Sequence, residues 1–184
     1  MGALSLHAWR HARADEAQGR CIGRTDLPVD PRRAKRLAHR MRAFARRHAL
    51  PRIVITSPLG RCSAVGCWLA CWGWQHRVDE SLIELDFGRW DGLAWSSVPR
   101  EDIDAWCLDF AEAAPGGGES VGTLLERVRA FDPGEARVVV THGGWLSAAI
   151  WLSRHPDTPP SSSAWPEAPR TGHRVALTLF GRSS

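Results

Sequence analysis

Lysine is almost missing: Lys35 stands alone among 24 basic residues, and every other one is an arginine. No Gly-Lys-Ser/Thr follows the glycine run Pro115-Gly116-Gly117-Gly118, so that segment is not a nucleotide-gripping P-loop. There is no run of 18 apolar residues, which excludes a helical membrane span. The first ten residues are too briefly apolar and too soon charged for a secretory signal. The five cysteines are odd in number and form no C-x-x-C pair, which argues against a disulfide framework. No internal repeat of solenoid period is visible. With 43% hydrophobic and 24% charged residues, disordered, collagen-like and coiled-coil readings fall away. The expectation is a single cytoplasmic domain over residues 1–184 with no membrane partner.

The net charge of +4 conceals a gradient. Residues 1–61 hold 14 Lys+Arg against 4 Asp+Glu, residues 62–136 hold 5 against 14, and residues 137–184 hold 5 against 2. A basic first third suits an anionic ligand, and arginine's fixed fork suits phosphate in particular. Much of that charge falls on one amphipathic helix, Arg32 to about His48. There Arg33, Arg36, Arg40 and Arg47 lie opposite Ala34, Leu37, Ala38, Met41, Phe44 and Ala45. A solvated face is the plainer account of these arginines than a nucleic-acid site. Cys67 and Cys71, at i and i+4 on a second helix, read as small buried hydrophobes rather than a metal pair. Trp74 and Trp151 are candidates for a homodimer contact.

Strand and helix signals alternate. Ala3–Trp9 and 52–56 read as strands, followed by a helix over about 59–73 with Ser57-Pro58 as its cap. An extended piece at 76–78 precedes helices over about 100–113 and 120–130, a strand at 137–141 and a helix to about Ser153. A Pro/Ser-rich loop at 155–171 leads to an edge strand from His173 to Phe180. This order predicts an α/β three-layer sandwich, a mostly parallel central sheet flanked by helices.

Chemistry-bearing residues fall just after three of the strands: Arg10-His11, Ser57 to Arg61, and His142-Gly143-Gly144. The carboxyl ends of parallel strands frame the ligand crevice of such folds, and helices starting there aim positive ends at it. Two imidazoles and two guanidiniums would then share an anion pocket. Each motif alone has a bland reading, whether a structural histidine, an exposed arginine or a tightly packed Gly-Gly pair.

The motifs in order are Trp-Arg-His-Ala at 9–12, Gly-Arg-Thr-Asp at 23–26 and Thr-Ser-Pro-Leu-Gly-Arg-Cys at 56–62. Glu-Leu-Asp-Phe-Gly-Arg-Trp-Asp-Gly at 84–92, Pro-Gly-Gly-Gly-Glu-Ser at 115–120 and Val-Val-Thr-His-Gly-Gly at 139–144 follow. Taken together they resemble the histidine phosphatase (phosphoglycerate mutase-like) superfamily, and within it the alpha-ribazole phosphatase-like branch. The resemblance implies a phosphoglycerate mutase-like fold and a metal-independent, cofactor-free phosphomonoesterase acting on a small phosphorylated substrate. It implies His11 as nucleophile, Arg10, Arg61 and His142 as holders of the phosphoryl group, and Glu84 as general acid and base. Gly143 would offer its N–H and Arg24 would assist binding; Asp86 is the reserve acid. The branch points to alpha-ribazole 5′-phosphate in cobalamin assembly.

Ala12 replaces the glycine usual after the first histidine, Arg13-Ala14 replaces Glu-Thr, and an asparagine expected near Ala17 is missing. Arg13 and Arg24 are the candidates to replace that amide. The alternatives are a mutase-type phosphotransferase, a phosphatase relative with an altered, inactive pocket, and a non-enzymatic arginine-rich module binding nucleic acid or protein.

Overall fold

A computed structural model of the chain describes residues 4–179. Ala3 and Phe180, the expected outer ends of the first and last strands, lie outside them. The elements are β1 (Leu4–Arg10), α1 (Pro31–Arg47), β2 (Ile53–Thr56), α2 (Gly60–Cys71), β3 (Gln75–Val78), α3 (Arg100–Leu108), α4 (Val121–Ala130), β4 (Val138–Thr141), α5 (Gly143–Arg154) and β5 (Arg174–Leu179). Short 3₁₀ turns at Glu80–Leu82, Gly88–Trp90, Trp95–Ser97 and Pro115–Gly117 punctuate the stretch between β3 and α4.

The strands form one sheet in the order β3-β2-β4-β1-β5, parallel except for β5, which pairs antiparallel with β1 at the edge. All four residues of β4 are buried, as its Val-Val-Val-Thr run requires of a central parallel strand. Period-two alternation sends Leu6 and Ala8 to one face and Trp9 to the other. Trp9, Val54, Val138 and Val140 pack under α1 and α2, while Leu6, Ala8, Ile55 and Val139 pack under α4 and α5. Helices thus cover both faces, giving the three-layer α/β architecture. Each fully buried aliphatic side chain contributes about 1.5–3 kcal/mol of burial free energy.

The buried stripe of α1 comprises Ala34, Leu37, Ala38, Met41 and Ala45, and Asp30 caps it through the Arg32 N–H at 2.7 Å. Several expectations need correction. Helix α3 stops at Leu108, not near 113: none of its residues is fully buried, and the chain turns over 109–112. Helix α2 starts at Gly60, so Ser57-Pro58 lies outside it. The Gly60 N–H is held instead by the Asp26 carboxylate, at 2.8 and 2.9 Å. Trp74 and Trp151 are 7% and 5% exposed and belong to the two cores, so neither offers a dimer contact. Cys67 and Cys71 are exposed rather than buried, and all five cysteines are free.

Candidate active site

The site is set by the sheet. Strands β2, β4 and β1 lie side by side and parallel, so the residues following them meet at one rim. The His11 N–H bonds the Thr141 carbonyl and the Ser57 N–H bonds the Val140 carbonyl, extending the ladder one step past the strands. The chain leaves β1 toward α1 on one face and leaves β4 toward α5 on the other. That divergence opens a crevice between β1 and β4, the switch point where open α/β sheets bind ligands.

His11 and His142 face each other across it, ring centroids 5.2 Å apart. Both are buried, at 7% and 0% exposure. His11 Nδ1 is 2.7 Å from the Ala12 carbonyl, so Nδ1 carries the hydrogen and Nε2 keeps its lone pair. Burial, with Arg61 and Arg10 adding to it, pushes the His11 imidazole down to about 3, against the opposing pull of that carbonyl. His142 accepts from Arg61 Nε at Nδ1 (3.2 Å), leaving its Nε2–H to the Ser57 hydroxyl at 2.7 Å. Burial above all, then His11 and the arginines, holds His142 neutral as well. The Cys62 thiol packs 3.4 Å from the same ring, and burial pushes it up, out of the nucleophilic range.

Arg61 is 1% exposed and anchored at three points: His142, the Thr25 carbonyl at 2.7 Å and the Gly23 carbonyl at 2.6 Å. That loop is itself fixed by Asp91, whose carboxylate takes the N–H groups of Gly23, Arg24 and Thr25 at 2.7–3.0 Å. The motifs at 23–26 and 84–92 are therefore one scaffold beneath Arg61. Arg10 donates to the Pro169 carbonyl at 2.8 Å, yet its buried Nε has no partner. Among the described residues, no carboxylate lies within ion-pair distance of Arg10 or Arg61. Two guanidiniums held in a crevice without a counter-ion make it a receptor for an anion.

Glu84, 7% exposed, lies where the 3₁₀ turn after β3 meets the crevice. Leu85 and Gly144 donate their N–H groups to its two oxygens, at 3.0 and 3.1 Å. The Gly-Gly pair is required by these contacts. A Cβ on Gly143 would lie 3.0 Å from Arg10 Cζ, and one on Gly144 would lie 2.5 Å from Glu84 Oε1. The Gly143 N–H, at the first position of α5, has no acceptor among the described residues.

His11, His142, Arg10, Arg61, Glu84 and Gly143 are thus brought together. Arg24 and Asp86 form a separate group: Asp86 bonds the Gly88 N–H and pairs with Arg24 at 3.4 Å, with Glu119 3.9 Å beyond. Since the stretch is irregular rather than extended, Asp86 does not share Glu84's surroundings. Arg13 bonds Gln18 and is exposed, so by these contacts neither Arg13 nor Arg24 stands in for the missing amide. Ala12 is compatible with its place, because the described non-glycine residues with positive φ are Glu16 and Ala49 only. Sequence reasoning missed Ser57 as the partner of His142, and missed Arg127. The Arg127 guanidinium bonds the Ser81 and Ile83 carbonyls at 2.8 and 2.7 Å and is locked by Glu119, steadying the segment before Glu84.

Compared with known protein families, residues 6–165 match the histidine phosphatase superfamily (branch 1). The chain belongs to that superfamily. It is 32% identical over 101 residues to an adenosylcobalamin/alpha-ribazole phosphatase of Salmonella typhimurium, covering 50% of this chain and 48% of that one. A bifunctional protein of Mycobacterium tuberculosis is 35% identical over 81 residues, 42% of this chain and 20% of that protein. The matches therefore span about half or less of these relatives. Among solved structures, a Thermus thermophilus phosphoglycerate mutase superposes with a TM-score of 0.69 at 27% identity, covering 94% and 92% of the two chains. A mycobacterial glucosyl-3-phosphoglycerate phosphatase, solved with VO3, gives 0.66 at 25% identity over 82% and 80%. The phosphoglycerate mutase-like fold is thereby established. No helix among the described residues is long and apolar enough to cross a membrane.

In this histidine phosphatase fold the buried imidazoles carry a stability cost at acid pH. Below about 6.5 the histidines of the unfolded chain take up protons, while His11 stays neutral until about 3. The folded state binds fewer protons in that window, so stability falls as the pH drops through 6.5. Thermal melts should show Tm decreasing from pH 7 to pH 5, with inorganic phosphate restoring part of the loss. A Tm independent of pH over that range would contradict the assignment of neutral imidazoles.

Proposed function

We propose that this protein is a metal-independent phosphomonoesterase that works through a phosphohistidine on a small phosphorylated metabolite. The observation that carries the reading is the pair of guanidiniums without counter-ions, flanking an imidazole whose Nε2 lone pair is free. Phosphoryl transfer demands in-line attack and neutralised equatorial oxygens, so positioning and charge do most of the catalysis.

His11 Nε2 attacks phosphorus, forming a P–N bond as the ester P–O bond breaks. Protonated Glu84 gives its proton to the departing alkoxide. A water then enters, Glu84 takes its proton, the new P–O bond forms as P–N breaks, and phosphate leaves with His11 neutral again. Arg10 and Arg61 match the charge of the equatorial oxygens, with the Gly143 N–H as a further donor; the His142 Nε2–H joins them by turning from the Ser57 hydroxyl to a phosphoryl oxygen. The name of the Salmonella relative makes alpha-ribazole 5′-phosphate the first metabolite to try.

Turnover of an aryl phosphate in the presence of EDTA tests the reading. Activity should survive chelation, and rapid quenching of a ³²P-labelled substrate should trap label on protein that is stable in base and released by acid. Turnover that needs an added metal, or no acid-labile label, would sink it.

A further inference from the structure

Beside Glu84 lies a cavity of about 380 Å³. Leu85 and Gly144, whose N–H groups hold the two Glu84 oxygens, both line it, so it abuts the backbone that carries the carboxylate. Its walls include Phe87, Trp106, Phe110 and Trp165, successive ring centroids lying 6.2, 5.1 and 5.4 Å apart. These rings come from the segment between β3 and α4 and from the 155–171 loop. Ser147 and Ser162 also line it, and among the described residues the sole charged lining residue is Glu167. Among the described residues, no arginine, lysine or histidine lines the cavity.

We propose that this cavity receives the alcohol portion of the phosphate ester and selects an uncharged one bearing a planar aromatic ring. The inference rests on the phosphatase reading and names the substrate class for the same site. With the phosphoryl group between Arg10 and Arg61, the ester oxygen must lie near Glu84 to take its proton, which directs the rest of the alcohol toward the space beside Leu85 and Gly144. An arc of four rings stacks a planar group and gains from excluding water. A second carboxylate or phosphate finds no cation there and meets Glu167, so phosphoglycerate-type alcohols are rejected.

The test uses alkyl esters of similar leaving-group pKa, so that ring binding is read and not intrinsic reactivity. For wild type, kcat/KM for 2-(1-naphthyl)ethyl phosphate should exceed that for propyl phosphate by about tenfold or more, and that for 3-phosphoglycerate by a larger factor. Trp165→Ala should erase most of the naphthyl-over-propyl ratio. Glu167→Arg, a change at an exposed position, should shift the ratio toward 3-phosphoglycerate at least severalfold and serves if the tryptophan variant does not fold. Turnover of both alkyl esters at equal kcat/KM would overturn the cavity assignment and leave the phosphatase reading intact. Failure to turn over any of the three esters would remove the phosphatase reading. Equilibrium dialysis would then decide the cavity by itself: naphthylethyl phosphate bound about tenfold tighter than propyl phosphate upholds it, and equal binding refutes it.

Discussion

His11→Ala should lower kcat on any phosphate ester by about 10³–10⁶-fold while leaving the far-UV circular dichroism spectrum unchanged. The magnitude follows from the role. Removing a covalent nucleophile eliminates the two-step route altogether, and the residual rate reflects only binding and charge stabilisation of direct water attack. The fold should persist because the ring is held by one local bond, to the carbonyl of the next residue. Its loss also removes a buried group that resists protonation, so the variant should lose less stability than the wild type on acidification. A variant that kept more than about a hundredth of wild-type activity would show that phosphorus is attacked by something else.

Gly144→Ala should lower activity severely, though less than His11→Ala, and be almost silent in stability. The added methyl would sit 2.5 Å from Glu84 Oε1, closer than atoms approach, and 3.3 Å from Cδ. The obstacle is the far end of a flexible side chain, so Glu84 swings aside and the backbone stays. A displacement of about 1 Å at a proton-transfer group costs on the order of 10²-fold in rate. The Gly144 N–H that holds Oε2 would be mispaired as well. Steady-state kinetics should show kcat falling by at least that factor, with Tm within a few degrees of wild type. An unchanged kcat would mean that Glu84 need not be where the structure holds it, and the acid–base role would have to be reassigned.

Much of this was legible in the sequence, and the reasons are physical. Hydrophobic alternation and helix periodicity located the buried strands and the long helices, because burial on both sides of a parallel sheet leaves a strong pattern; the mostly exposed β3 was legible only as a short extended piece. The placement of Arg10, His11, Arg61 and His142 just after strands anticipated their convergence, since a parallel sheet puts all carboxyl ends on one rim. What stayed hidden depends on contacts between distant segments. Ser57 read as a helix cap, yet its hydroxyl serves His142, 85 residues away. Asp26 and Asp91 had no role assigned from sequence beyond their motifs, yet they tie down α2 and the loop under Arg61. Asp86 could be placed beside Glu84 only by assuming extended backbone, and the 3₁₀ turns on either side of 83–87 break that register. The glycine run at 115–118 read as a bare loop. In the folded chain it is the close-packed seat of residues 86–90: side chains on Gly116 or Gly118 would collide with the Phe87 and Asp86 carbonyls. Nor could the length of α3 be read from composition, because it depends on how little of that helix is buried.

The groups proposed to handle phosphate sit on or next to the carboxyl rim of the sheet, whereas the aromatic wall beside Glu84 is built mostly from the connections between β3 and α4 and between α5 and β5. The two halves of the site consequently sit in parts of the chain under different mechanical constraint. Substitutions, insertions or deletions in the connections can reshape what is accepted without moving the phosphoryl machinery. The same division of labour would let closely related chains share one chemistry while diverging in diet, and would make the 155–171 segment the place to begin when retargeting this scaffold.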